Sequence, residues 1–333
     1  MSSIAHAIPG MPQHNAPSVF SRYLREISVG LAYGLLLGIL ALTQPGFFHA
    51  KAGENQSEFF SICVNMAPIL IAAIGMTIVI VARHIDISIG SQLAVCSVLA
   101  GLIAKAGWPM PVVAIATMLA GAAMGAINGA LVAGSGLPSI VVTLATMVIF
   151  RESLRWIRQG QFVSDLPDGF QWFGLPQAMG QYVLLGVAAA MFCIFGFALR
   201  WMAAGRTIYA VGSDLEAARL AGIRPRRTVF WVFVLMGALV GLAALLSAVR
   251  SPDVDPSVGT GWELTVIAAV VVGGTAISGG RGTLMGTLIG VALLVTIGPA
   301  LEFLGVPSQW EKAVRGLIIL IAVASDGIFR SND

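Results

Sequence analysis

Long apolar windows separated by short polar turns fill almost the whole chain after its polar, Pro-containing start. A helix needs about 20 consecutive, mainly apolar residues to cross a bilayer. Windows of this kind lie at roughly 27–44, 62–82, 86–106, 111–133, 139–158, 180–203, 227–250, 263–276, 283–304 and 311–327. The eighth is short and ends in glycines. The pattern predicts an all-α integral membrane protein with about ten transmembrane helices. On this reading 1–26 form a flexible cytoplasmic tail, 27–328 the transmembrane domain and 329–333 a C-terminal tail.

Composition agrees. The 333 residues are 57% hydrophobic and only 11% charged, against about 25% charged in soluble domains. Mean hydropathy is +0.88. Glycines recur at four-residue spacing in Gly30/Gly34/Gly38, Gly121/Gly125/Gly129, Gly237/Gly241 and Gly282/Gly286/Gly290, which reads as close helix packing. The net charge of +3 is small and spread out, so nucleic-acid binding is excluded as a function class. With the N-terminus in the cytoplasm, the inner segments hold Arg22, Arg25, Arg83, Arg200, Arg206, Arg219, Arg224, Arg226, Arg227, Arg281 and Arg330. These are the larger part of the 19 Lys and Arg residues, as the positive-inside rule requires. The same topology puts 205–227 in the cytoplasm.

Candidate chemistry is sparse. Cys63, Cys96 and Cys193 lie in apolar runs without metal-ligand spacing. The histidines (His6, His14, His49, His84) are scattered, and no Ser/His/Asp constellation emerges, so the sequence offers no catalytic residue, metal site or cofactor. Lys51, Lys105 and Lys312 do not follow glycine, which rules out a phosphate-binding P-loop.

Three polar interruptions carry more information. The charged segment Gly205 to Arg227 predicts one short helix of about eight residues, with Ser213 as cap, Glu216 completing a capping box, Gly222 in the left-handed stop and Pro225 beyond it. Such a helix can dock into a partner or be an ordinary cytoplasmic loop helix. The tight turn Arg83-His84-Ile85-Asp86 precedes the third window, whose helix Asp86 or Ser88 can cap, with Gly90 just inside. Gly273, Gly274, Gly279 and Gly280 end the eighth window in irregular backbone, which at membrane depth must be buried in protein or line a water-filled path. Asn65, Asn128, Thr143 and Thr146 are candidates for lining that path, or for hydrogen bonding between helices. Phe162, Asp165, Asp168, Phe170, Trp172 and Phe173 in the loop 159–179 suit either a partner or an interfacial aromatic belt. The second-to-third and eighth-to-ninth junctions look alike, which suggests an inverted repeat.

These motifs carry a resemblance. Ile85-Asp86-Ile87-Ser88-Ile89-Gly90-Ser91, Glu216-Ala217-Ala218 followed by Gly222, and the run Gly273 to Gly282 occur in the order found in ABC sugar importer permeases. The chain resembles the ribose, xylose, rhamnose and autoinducer-2 group over about 60–328. Asn128-Gly129-Ala130-Leu131-Val132 and Pro138-Ser139 are similar in wording. It departs at Val232-Phe233-Val234-Leu235, where the second half of the Glu-Ala-Ala motif is absent.

The resemblance implies a type II, vitamin B12 importer-like bundle in a bacterial cytoplasmic (inner) membrane. It implies a second permease subunit, identical or paralogous, with the path between the two. It further implies ATPase subunits docking at Ser213, Asp214, Glu216, Ala217, Ala218 and Gly222, and a soluble substrate-binding protein outside. ATP hydrolysis would then belong to the partner, and the solute would be a small sugar. A branched-chain amino acid permease is the near alternative. An ion-coupled transporter would need buried carboxylates within the spans, whereas Glu152, Glu302 and Asp86 fall near window ends.

Overall fold

The computed structural model describes residues 19–43, 47–49, 57–303, 305–307, 310–311, 313–314, 316–318 and 320. Eleven α-helices appear among them: α1 (Val19–Thr43), α2 (Glu58–Val81), α3 (Ile89–Lys105), α4 (Met110–Ser135), α5 (Ser139–Arg158), α6 (Gln177–Trp201), α7 (Ala203–Ser213), α8 (Leu215–Leu220), α9 (Pro225–Ala248), α10 (Trp262–Val272) and α11 (Leu284–Phe303). The chain is a multi-pass membrane protein, helical throughout its named elements; among the described residues six helices are long and apolar enough to cross a bilayer. They are α1, α2, α4, α6, α9 and α11. The expected third and eighth windows form shorter apolar helices, α3 with 17 residues and α10 with 11. The expected fifth is α5, whose last turns carry Arg151, Glu152, Arg155 and Arg158. Helix α1 begins at Val19, before the expected end of the tail. The tail's first 18 residues, most of the expected tenth window and the C-terminal tail lie outside the described residues.

Helices α2 and α9 form the centre. The apolar window of α2 is 83% buried and that of α9 67%, against 6% for α1 and 17% for α6, which leave their sides free for lipid. Glycine explains the tightest crossing. A Cβ on Gly121 or Gly125 of α4 would strike the carbonyls of Gly237 or Phe233 on α9, and one on Gly241 would meet the Thr117 carbonyl of α4. The two backbones touch with no side chain between them, which is what small residues permit in membrane helices. The same holds where Gly273, Gly286 and Gly290 bring α10 against α11. On α1, by contrast, Gly34 and Gly38 face open space. Buried hydroxyls add cross-links: Thr77 and Thr287 are 2.7 Å apart between α2 and α11. Such bonds contribute about 0.6 kcal/mol each on average.

At the end of the bundle where α2 and α6 begin, the loops 159–176 and 249–261 are fastened together. Val163 and Val254 form an isolated antiparallel bridge, and the Trp172 N–H bonds the Val249 carbonyl at 2.8 Å. Phe170 and Trp172 are buried, so they belong to neither an aromatic belt nor an exposed partner surface; Phe162 is exposed. The α5 arginines hold these loops: Arg151 donates to the Val258 carbonyl at 3.0 Å, and Arg158 to those of Gln161 and Phe162.

Candidate functional site

The three polar interruptions, far apart in sequence, converge at the opposite end of the bundle. Val81 is the last residue of α2, and its carbonyl accepts the Gly280 N–H at 2.9 Å. Arg83 donates its Nε to the Ser278 carbonyl at 2.7 Å, which ties the 82–88 turn to the glycine-rich turn 273–283. The end of α7 completes the junction. Tyr209 donates its hydroxyl to the Gly282 carbonyl at 2.7 Å. Gly212 lies so close that a Cβ there would overlap the Val81 carbonyl and sit 2.8 Å from the Gly280 nitrogen. A Cβ on Gly280 would in turn sit 2.8 Å from the Ser213 Cα. Gly279 and Gly280 also have φ of 82° and 72°, a region that L side chains adopt only with strain. Gly274, at φ 94°, turns the chain just after α10.

One residue beyond this junction, α8 begins. Two helices occupy the segment expected to hold one. Ser213 is the last residue of α7 and does not cap α8; Asp214 does, with φ −153° and ψ 115°. Its carboxylate accepts from the N–H groups of Glu216 and Ala217 at 2.8 and 3.0 Å. These two bonds hold the Asp214 carboxyl below the usual carboxylate range. There is thus no Ser213–Glu216 capping box. Glu216 instead lies 3.9 Å from Arg219, an exposed pair that contributes little. α8 has six residues, anchored by the buried Ala218, while Glu216, Ala217 and Leu220 are exposed. Leu220 is 88% exposed, an apolar side chain left in solvent at the tip of the segment. Gly222, at φ 80° with nothing near its missing Cβ, closes the helix in the left-handed conformation. Pro225 occupies the first turn of α9; it opens a helix and does not act as a stop.

The 82–88 turn is held from inside by buried polar groups. Ser88 stands at the start of α3 but makes no side-chain cap bond, and Asp86 does not cap that helix either. Asp86 is fully buried and turns its carboxylate to Ser88, accepting from its N–H at 2.9 Å and its hydroxyl at 2.6 Å. The Ser88 Oγ then accepts from Gln92 at 2.7 Å and from Asn128 of α4 at 2.8 Å. Gln92 also reaches Asp86 at 3.2 Å, and Asn128 lies 3.5 Å from it. Ser88 therefore uses its one proton and both acceptor positions. From α5, the hydroxyls of Ser139 and Thr143 accept the N–H groups of Ile85 and Ile87, each at 3.1 Å. Thr146 bonds the Thr143 carbonyl at 3.2 Å. Asn128 and Thr143 thus fasten helices to this turn, the second of the two roles open to them, whereas Thr146 bonds within α5. Asp86 is the buried carboxylate that the sequence placed at a window end. Its partners are uncharged, and among the described residues it forms no ion pair. Gly90 packs against Gly259 and Glu263.

Asn65 is not part of this assembly. It sits 16 positions before Val81 on α2, about 24 Å away at 1.5 Å per residue. There it accepts a hydrogen bond from Arg250 in a separate polar cavity. Tyr209, Gly212 and Gln92 were not singled out in the sequence, and Arg83 was read only as part of the turn and as an inner-face charge. Only Gly212, a glycine directly before the Ser213-Asp214 cap pair, carried a local signal.

Comparison with known proteins bears on this junction. A family model described as branched-chain amino acid transport system / permease component matches residues 59–323. The ribose import permease protein RbsC of Escherichia coli (strain K12) is 33% identical over 308 residues, covering 91% of this chain and 94% of that protein. The autoinducer 2 import system permease protein LsrC of Escherichia coli (strain K12 / DH10B) is 32% identical over 297 residues, covering 89% and 86%. LsrC of Shigella flexneri is 33% identical over 297 residues, with the same coverage. No solved structure matches the chain significantly.

Proposed function

Since the chain belongs to the ABC importer permease family matched by that model and those relatives, we propose that it is the membrane-spanning subunit of an ATP-driven importer for a small sugar or sugar-like solute. ATP hydrolysis belongs to a separate ATPase subunit, which docks on α8 through Asp214, Glu216, Ala217, Leu220 and the Gly222 stop. A substrate-binding protein delivers the solute from the opposite face, and a second permease subunit, identical or paralogous, completes the path. The family's type II architecture, with about ten spans and an inverted repeat, belongs to the same proposal.

The observation that carries this reading is the packing of the end of α7, two residues before α8, against two membrane turns. A displacement of α8 pulls on Ser213 and Gly212, which abut Gly280 and Val81. On this reading a movement of α8 is passed through Asp214 to the end of α7, and from there to the end of α2 and the turn after α10. Alternating access requires ligands that bind the two states unequally; an ATPase that closes on nucleotide supplies such a bias at α8.

The test is ATPase activity of the assembled transporter in nanodiscs, with binding protein loaded in turn with ribose, xylose, rhamnose and autoinducer-2. Stimulation by one loaded form is expected. Glu216→Ala and Gly222→Val should insert normally yet separate hydrolysis from uptake; wild-type uptake in both variants would overturn the docking role. A branched-chain amino acid as solute is the second reading, favoured by the description of the matching family model. Stimulation by leucine-loaded and not sugar-loaded binding protein would establish it.

A further inference from the structure

A cavity of about 360 Å³ opens at the end of the bundle away from α8, lined by Ser61, Asn65, Trp172, Gln177, Ser247 and Arg250 among others. It lies between the start of α2, the start of α6 and the end of α9. Almost every group facing it can form hydrogen bonds, and its one charged side chain is Arg250. That guanidinium is half-buried, and burial lowers its affinity for its proton. It donates to the Asn65 Oδ1, while its Nε is buried without a partner. Among the described residues no carboxylate pairs with it. A partly desolvated charge lacking a counter-charge is unfavourable. A planar guanidinium is also the group best matched to two oxygens of a carboxylate or phosphate.

We infer that this cavity is a binding site for a small oxyanion, a carboxylate or phosphate group, which Arg250 clasps while Asn65, Gln177 and the serine hydroxyls bond its remaining oxygens. The anion supplies the missing counter-charge. It comes either from a free solute or from a phospholipid headgroup at the membrane surface. The site is separate from the α8 junction, and the inference does not depend on what is transported.

The full-length protein, purified in phosphate-free buffer, should be melted against inorganic phosphate at constant ionic strength, with chloride as control. Saturable phosphate binding with an upward shift in Tm is expected. Arg250→Gln should weaken that binding by at least about tenfold, the scale of a lost charge-assisted pair. Asn65→Asp is the second variant: a carboxylate beside Arg250 should raise Tm in phosphate-free buffer and abolish the phosphate shift. Native mass spectrometry separates the sources. One phospholipid retained by wild type and lost in both variants, with no effect of free phosphate, identifies a headgroup; the reverse identifies a free anion. The inference is overturned if neither binds, or if Asn65→Asp lowers Tm and leaves the phosphate shift intact.

Discussion

The Gly280 N–H and the Val81 carbonyl, 2.9 Å apart, join two turns separated by almost 200 residues of chain. The bond is between backbones, and Gly212 is packed on top of it. The end of α7, the end of α2 and the turn after α10 therefore meet backbone to backbone, two residues before α8 begins.

Gly212→Ala tests that contact. The added methyl overlaps the Val81 carbonyl, which is backbone and cannot swing aside. Overpacking of this kind costs about 1–3 kcal/mol. A lower melting temperature is expected, together with loss of sugar-stimulated ATPase activity that exceeds the loss of folded protein. Wild-type stimulation in a stably folded Gly212→Ala protein would show that the contact does not transmit motion.

Acid should loosen α8. Two backbone N–H groups hold the Asp214 carboxyl below its ordinary pKa. A depressed folded-state value means that the cap's contribution is complete above the unfolded pKa. It is lost as pH falls through the folded one. Hydrogen-exchange protection of Glu216 and Ala217 should fall in that acidic window in wild type. Asp214→Asn, which still caps but does not titrate there, should flatten the pH dependence, and Asp214→Ala should remove protection at every pH.

Ser88→Ala should be costly for its size. The change removes a donor to Asp86 and the acceptor shared by Gln92 and Asn128. Stranding buried polar groups costs about 1–3 kcal/mol. Because Asn128 bonds the same hydroxyl, Ser88→Ala and Asn128→Ala should be non-additive by about 0.5–3 kcal/mol in a double-mutant cycle. Simple additivity in thermal melts would mean that the two side chains act separately.

The glycine stripes should differ sharply in tolerance. Gly125→Leu forces α4 off the Phe233 carbonyl of α9 and should abolish stable folding. Gly38→Leu on α1 meets open space and should change stability by less than about 0.5 kcal/mol. Fluorescence-detected size-exclusion chromatography of both variants separates the cases.

Much of this was legible in the sequence and some was not, for reasons visible in particular residues. Apolar windows marked the helices because bilayer-spanning segments need nothing else. Gly222, Gly274, Gly279 and Gly280 were readable as breaks because their left-handed conformations exclude most other residues. The cap of α8 was misassigned by one position. Ser213 and Asp214 are both good caps, and the choice depends on where α7 ends, a point set by tertiary contact at Gly212. That Asn128 and Thr143 serve the 82–88 turn was hidden for another reason. Helices apolar on every side carry no periodicity to show which face a lone polar residue occupies. The junction itself was invisible, because a backbone bond such as Gly280 to Val81 has no side-chain signature.

The glycine crossing of α4 and α9 has one more consequence. With no side chains between them, the two backbones are already in contact, so the pair has no room to close further. α9 runs 24 residues, about 36 Å, from just beyond α8 to just short of Arg250. One helix thus links the end of the bundle that holds α8 to the end that holds the Arg250 cavity.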